Sequence, residues 1–214
     1  MSKEEFLIEL KKLNIIPTEK QLEQLEKYYE LLIYWNERIN LTRIINKEDV
    51  YLKHFYDSLT IVKVVNLNKT NTLLDFGTGA GFPGLVLKIM FPNIKVTLVD
   101  SLQKRINFLD IVIKELDLKE ITTIHERVEN LKNINFDVIT TRAVANLEKL
   151  IVYTHTLIEN NTKFIPLKAN VDEELEQAKK VLNKYSLYIE KQEQFFLPKE
   201  NSIRNILVIE KRNQ

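Results

Sequence analysis

Apolar residues in the first third of the chain recur at spacings of three and four. From Glu19 to Ile39 they place Leu22, Leu25, Tyr28, Tyr29, Leu32, Trp35 and Ile39 on one stripe, the period of an amphipathic helix. Pro17-Thr18 marks its start, with Thr18 placed to cap it. The stripe lasts only about three heptads, too short for a strong coiled-coil seam, so it is predicted to pack on the body of its own chain. Residues 1–66 together read as a helical cap. From residue 71 the period changes. Runs at Thr72–Phe76, Lys95–Val99, Ile121–His125, Phe136–Thr140 and Lys163–Leu167 read as strands. Between them, Phe82–Phe91, Gln103–Leu116, Leu147–Glu159 and Val171–Lys184 read as helices. Leu187–Phe196 and Ser202–Lys211 then form a predicted β-hairpin. The expected fold is therefore α/β: residues 67–214 make a Rossmann-like, mostly parallel sheet closed by an antiparallel hairpin.

All 4 glycines of the chain fall in Gly77-Thr-Gly79-Ala-Gly81-Phe-Pro-Gly84. Glycine is used where a Cβ cannot be tolerated, and this cluster joins the first strand to a helix. Strand, glycine turn and helix N-terminus together hold nucleotide-like ligands. Gly79-x-Gly81-x-x-Gly84 also satisfies the dinucleotide fingerprint, with Asp100 at the end of the next strand to grip ribose hydroxyls. Three features favour S-adenosylmethionine over a dinucleotide. Asp75 suits a ligand with a cationic amino-acid group, Gly77 lengthens the loop, and the closing hairpin completes a methyltransferase-type sheet. Gly77, Gly79 and Gly81 are expected to bring backbone against the methionine and ribose, with Phe82 packed beside them. Ser101 is expected to cap the helix after Asp100 and to belong with it to the cofactor site.

Composition narrows the chemistry. The 214 residues include no cysteine, which excludes disulfides, thiolate metal sites and cysteine nucleophiles. His54, His125 and His155 are far apart, so no metal centre is expected. The N-terminus has no apolar leader, and no apolar run reaches the length of a membrane span; a cytoplasmic protein with no membrane association is expected. Net charge is +1, so any nucleic-acid contact must come from a local patch such as Lys104-Arg105 or Lys211-Arg212.

The glycine run, together with Leu98-Val-Asp-Ser101, Lys104-Arg105, Arg127-Val-Glu129 and Thr141-Arg142-Ala143, resembles the bacterial small-subunit rRNA guanine-N7 methyltransferases (RsmG, formerly GidB). Trp35-Asn36, Asn40-Leu-Thr42, His54-Phe-Tyr-Asp-Ser58 and Leu167-Lys168 agree with it, so the resemblance runs from about residue 6 to 211. Lys53-His54 stands where the family often has Arg-His, and Ala169 where it often has glycine. The resemblance implies methyl transfer from S-adenosylmethionine to N7 of a guanine in 16S rRNA, within a small ribosomal subunit or assembly particle, by a monomer. Another RNA or a non-RNA acceptor, or a non-catalytic ribosome-assembly role, stay open as alternatives. Val128-Glu129 follow the third strand, where the family holds the adenine. Arg127, Lys168 and His54 are expected RNA contacts, His54 alternatively a polar contact between helices. Guanine N7 offers its lone pair without losing a proton, so no general base is expected. Arg142, at the end of the fourth strand, is assigned to the cofactor carboxylate, an RNA phosphate or guanine O6 alone, with Lys168 as a second positioning candidate. Asp57-Ser58 reads as a helix cap.

Overall fold

A computed structural model describes residues 1–212. Helices α1 (Lys3–Lys12) and α2 (Glu19–Ile39) each open on a reciprocal cap, Ser2 with Glu5 and Thr18 with Gln21, which satisfies backbone N–H groups that have no partner in the helix. Asn40, at φ 52°, ends α2 in the left-handed region. The chain then coils continuously through α3 (Lys47–Val50), a π-helical turn (Tyr51–Tyr56), α4 (Asp57–Leu59) and a 3-10 turn (Thr60–Lys63). Such π turns cluster at functional sites, and this one carries Lys53 and His54.

The sheet follows. Its elements are β1 (Thr72–Phe76), α5 (Gly84–Met90), β2 (Lys95–Asp100), α6 (Gln103–Glu115), β3 (Ile121–His125), β4 (Val138–Arg142), α7 (Leu147–Thr154), β5 (Lys163–Lys168), α8 (Asp172–Lys184), β6 (Leu187–Phe196) and β7 (Ile203–Lys211). They assemble in the order β3-β2-β1-β4-β5-β7-β6, with β7 antiparallel between β5 and β6. The Rossmann-like sheet and its terminal hairpin are therefore as the sequence predicts. Boundaries move: α5 spans Gly84–Met90 rather than Phe82–Phe91, α7 ends at Thr154 rather than Glu159, and β4 starts at Val138 rather than Phe136 and runs to Arg142. Asp137 pairs by its side chain instead, accepting the Asn71 and Thr72 N–H groups, while its own N–H donates to Thr72 Oγ1.

Alternate strand residues face opposite layers. Leu73, Val96, Leu98, Val138 and Ile165 join the core beneath the cap, α5 and α6. Leu74, Phe76, Val99, Ile139 and Phe164 join the core beneath α7 and α8. The first of these cores is continuous from Phe6 and Leu25 in the cap to Ile206 in β7. The α2 stripe does pack on its own chain, burying Leu25, Tyr28 and Leu32.

Phe82, from the glycine turn, lies at the joint between cap and sheet. Its ring stacks 5.5 Å from Tyr28 and 4.3 Å from the His54 imidazole, and Tyr28 in turn stacks on Phe55. The Tyr28 hydroxyl donates to the Ala80 carbonyl. Gly81 adopts φ +102°, and a Cβ there would stand 2.4 Å from Leu85 Cδ1 and 2.6 Å from Tyr28 Oη. Backbone strain and overlap add, so Gly81→Ala is expected to cost at least about 2 kcal/mol. A lowered urea midpoint at unchanged slope is the expected reading, and an unchanged midpoint would contradict it.

Candidate active site

Strand order reverses between β1 and β4, the place where open α/β sheets bind ligands. Two cavities open there at the carboxyl ends of the strands. One, of about 300 Å³, is lined by Gly77, Val99, Ser101, Val128, Glu129 and Val144 among others. The second, of about 440 Å³, is lined by His54, Asp57, Arg142, Lys168, Glu174 and Arg204 among others. The turn after β4 divides them: Arg142 and Ala143 face the second cavity, Val144 the first. Ala143 holds φ +57° to make that turn.

The four glycines have different reasons to be glycine. At Gly77 (φ +61°) a Cβ would meet Val144 Cγ2 at 2.4 Å, and at Gly84 it would meet Leu98 and Asp75. Gly81 is fixed by Leu85 and Tyr28, so it serves the cap joint. Only Gly79 (φ +60°) has nothing within 4 Å of where its Cβ would be, leaving bare backbone towards open space. Gly79 N–H donates to Asp100 Oδ2 at 2.9 Å, and Leu102 N–H donates to Oδ1 at 3.0 Å. Asp100 thus braces the glycine turn against the start of α6.

Several sequence expectations change here. Ser101 does not cap α6: Leu102 stands in the cap position and no side chain accepts from the helix's first N–H groups, while the Asp100 carboxylate takes the Leu102 N–H. Arg105 is spent on Asp100 at 3.2 Å, so Lys104-Arg105 is not a free basic pair. Asp75 lies wholly beneath the glycine turn. Its Oδ2 accepts from Thr78 Oγ1 (2.6 Å) and Gly84 N–H (2.8 Å), while Oδ1 meets no donor. It therefore anchors the turn rather than facing a ligand. Burial raises its carboxyl to about 7 against the pull of those two hydrogen bonds. Phe82 lines neither cavity, since the aromatic joint takes its ring.

Arg142 is held from the cap. Nη1 donates to the Lys53 carbonyl (2.8 Å) and to Asp57 Oδ2 (3.2 Å), and Nη2 donates to His54 Nδ1 (2.9 Å). Its guanidinium lies 5.2 Å over the Phe82 ring. Asp57 also receives Arg204 Nε at 3.2 Å. Asp57 is thus no helix cap but the acid shared by two arginines, from β4 and β7. Since Arg142 donates to Nδ1, the His54 proton sits on Nε2, 2.9 Å from Thr42 Oγ1. Burial, and then the Arg142 charge, push this imidazole down to about 3. The expected RNA contacts separate: His54 and Lys168 line the second cavity, whereas exposed Arg127 borders the first, 3.9 Å from Glu129.

A family model described as rRNA small subunit methyltransferase G (GidB) matches residues 21–206. The ribosomal RNA small subunit methyltransferase G of Bacillus subtilis is 45% identical, covering 99% of this chain and 91% of that protein. The Staphylococcus carnosus protein of the same name is 42% identical, over 98% and 91%. The chain belongs to the rRNA small subunit methyltransferase G family. Among solved structures, a ribosomal protein L11 methylase from Lactobacillus delbrueckii superposes with a TM-score of 0.58 at 17% identity, over 78% of this chain and 80% of that one. That likeness carries the fold, the Rossmann-like class I methyltransferase sheet.

A methyltransferase G needs room for a methyl donor beside room for an acceptor, and the residues fit. Gly79 leaves the cradle that a Cβ would fill, and the smaller cavity continues from Gly77 to Val128 and Glu129. A carboxylate offers about four acceptor positions, so two amides and one guanidinium do not exhaust Asp100. Its side chain is 1% exposed and lines neither cavity, however, so a ligand reaches it only by displacing the Arg105 contact or the turn. Positions that sequence reasoning missed are Glu174 and Arg204, which lie outside every motif, and the role of Asp57. The single signal for Asp57 was its spacing of three from His54.

His54 and Asp75 act on stability with opposite signs. His54 in the unfolded chain protonates near about pH 6.5, in the folded state near 3. Its contribution is full above the unfolded value and is lost as pH falls towards the folded one. Asp75, raised to about 7 from 3.8, instead costs stability as pH rises through that interval. The His54→Gln variant removes only the first. The stability of the wild type relative to this variant is expected to fall between about pH 6.5 and 4, by up to ~1.4 kcal/mol per unit. Urea midpoints across that range check it, and a flat difference would count against it.

Proposed function

We propose that this chain transfers a methyl group from S-adenosylmethionine to N7 of a guanine in 16S rRNA, acting as a cytoplasmic monomer on a small ribosomal subunit or assembly particle. The observation that carries the reading is the pair of cavities that meet at the Arg142-Ala143-Val144 turn. Bound in the smaller cavity, the cofactor supplies one electrophilic methyl group on a sulfonium. Gly77 and Gly79 offer backbone without side chain, Asp100 accepts from the ribose hydroxyls, and Val128-Glu129 flank the adenine. The larger cavity receives the base.

N7 attacks with a lone pair it already has, so no proton has to leave the acceptor. The second cavity suits such a nucleophile. Both nitrogens of His54 are engaged, by Arg142 and Thr42, and both oxygens of Asp57 by Arg142 and Arg204. Neither group is poised as a base. The remaining work is alignment and exclusion of water, which the cap performs by walling the base-sized cavity with Lys53, His54 and Asp57. A splayed-out nucleotide in a structured loop is the form of RNA that fits a cavity rather than a groove.

Tritiated methyl transfer to purified 30S subunits lacking base methylation, followed by digestion to nucleosides, tests the reading. Labelled 7-methylguanosine is the expected product, and a different labelled nucleoside, or none, overturns it. Gly79→Val is expected to abolish cofactor binding, measured by calorimetry, because its side chain would enter the open space in front of the turn. Undiminished binding would remove the cradle from the proposal.

A further inference from the structure

Adenine and guanine both carry a nucleophilic N7, so attack geometry alone cannot choose between them. With N7 turned to the methyl donor, the choice falls to the six-membered ring. There guanine presents an acceptor at O6 beside a donor at N1–H, and adenine presents the reverse, a donor at N6 beside an acceptor at N1. A reader of guanine therefore needs a donor and an acceptor side by side.

The cavity beneath the cap holds one such pair. Lys168, the last residue of β5, and Glu174, in the first turn of α8, meet with Nζ 2.8 Å from Oε2. Oε2 also accepts the Leu147 N–H at 2.7 Å, and Nζ donates to the Ala145 carbonyl at 2.7 Å. That leaves one Lys168 N–H, and among the described residues no donor meets Glu174 Oε1. Arg204 keeps Nη2 without a partner among the described residues, but the acid beside it offers no acceptor, and most of the cavity's other charged groups are committed. Asp57 is held by Arg142 and Arg204, Arg204 Nη1 by Ser202 and the Ile203 carbonyl, and Lys53 by Asp49 and Glu200 at 2.9 Å each.

We propose that Lys168 and Glu174 read the acceptor base, Lys168 Nζ donating to guanine O6 and Glu174 Oε1 accepting guanine N1–H. The assignment rests on the guanine-N7 reading above and deepens it. It leaves N7 untouched, which an arginine bidentate to O6 and N7 would not. Adenine in the same place would set its amine against the ammonium and its N1 lone pair against the carboxylate. Sites built to hydrogen-bond one partner reject mismatched analogues strongly, because their polar groups are left unpaired.

Glu174→Gln gives a directional test. The oxygen of the carboxamide is retained by the Leu147 N–H and Lys168, so its NH2 takes the place of Oε1. The acceptor facing N1 becomes a donor. Once the methylated position is mapped, subunits carrying guanine, adenine or 2-aminopurine there are offered to the wild-type chain and to the variant, with cofactor affinity measured in parallel. The wild type is expected to prefer guanine by at least about 100-fold in kcat/KM over the other two bases. The variant is expected to lose about tenfold or more on guanine, to bring the guanine-to-adenine ratio within about tenfold, and to keep cofactor affinity.

A variant that retains the full guanine preference overturns the proposal, whatever its absolute rate. So does a wild-type enzyme that methylates 2-aminopurine as well as guanine, a measurement that needs no variant to fold. No transfer to guanine subunits by the wild-type chain would instead overturn the underlying reading, and this assignment with it.

Discussion

The architecture turns on one largely hidden charge. The Arg142 guanidinium sits at the end of β4, where strand order reverses, with its side chain only 14% exposed. A charge so placed must be paired and hydrogen-bonded. Its partners come from the cap, as the Lys53 carbonyl, the His54 imidazole and the Asp57 carboxylate. Asp57 then draws in Arg204 from the closing hairpin. Removing one member of a buried pair costs about 3–5 kcal/mol, because the other charge is stranded. Cap, sheet and hairpin are therefore locked together at the same point that shapes the larger cavity.

The lock has a chemical consequence. Because His54 must stay neutral to accept from Arg142, its burial and the neighbouring charge, which push its pKa down to about 3, are compatible with the network. A histidine and an aspartate beside a reaction site would ordinarily suggest acid–base catalysis. Here both are consumed in holding the arginine. What is left is a cavity that can orient a base but that takes no proton through these two residues, which matches a nucleophile that needs no deprotonation.

The glycine run shows how one motif can serve several constraints. Gly79 alone presents open backbone, whereas Gly77, Gly81 and Gly84 are close against Val144, the Tyr28–Leu85 pair and the Leu98–Asp75 pair. The turn is thus clamped by the β4 turn, by the cap and by its own strand. Asp75 and Asp100 fasten it from below and from the side. A loop pinned in so many directions loses little further entropy when a ligand arrives, the advantage of a preorganised site.

The change of hydrophobic period near residue 70 determined the helical front and the alternating sheet, since apolar spacing reports which face each element must bury. The clustering of every glycine in one strand-to-helix turn marked the corner where the strand order reverses, because few other constraints concentrate glycine so tightly. Tertiary structure decided which glycine leaves open space beside its backbone, that Asp75 fastens the glycine turn, and that Ser101 caps nothing. It also decided the partnerships of Arg142 with Asp57, 85 positions apart, and of Arg204 with Asp57, 147 apart. Local pattern carries the geometry of an element and the chemistry of a residue. It does not carry the pairing of charges brought together by distant strands, because that depends on where the sheet order reverses and which surface the cap covers.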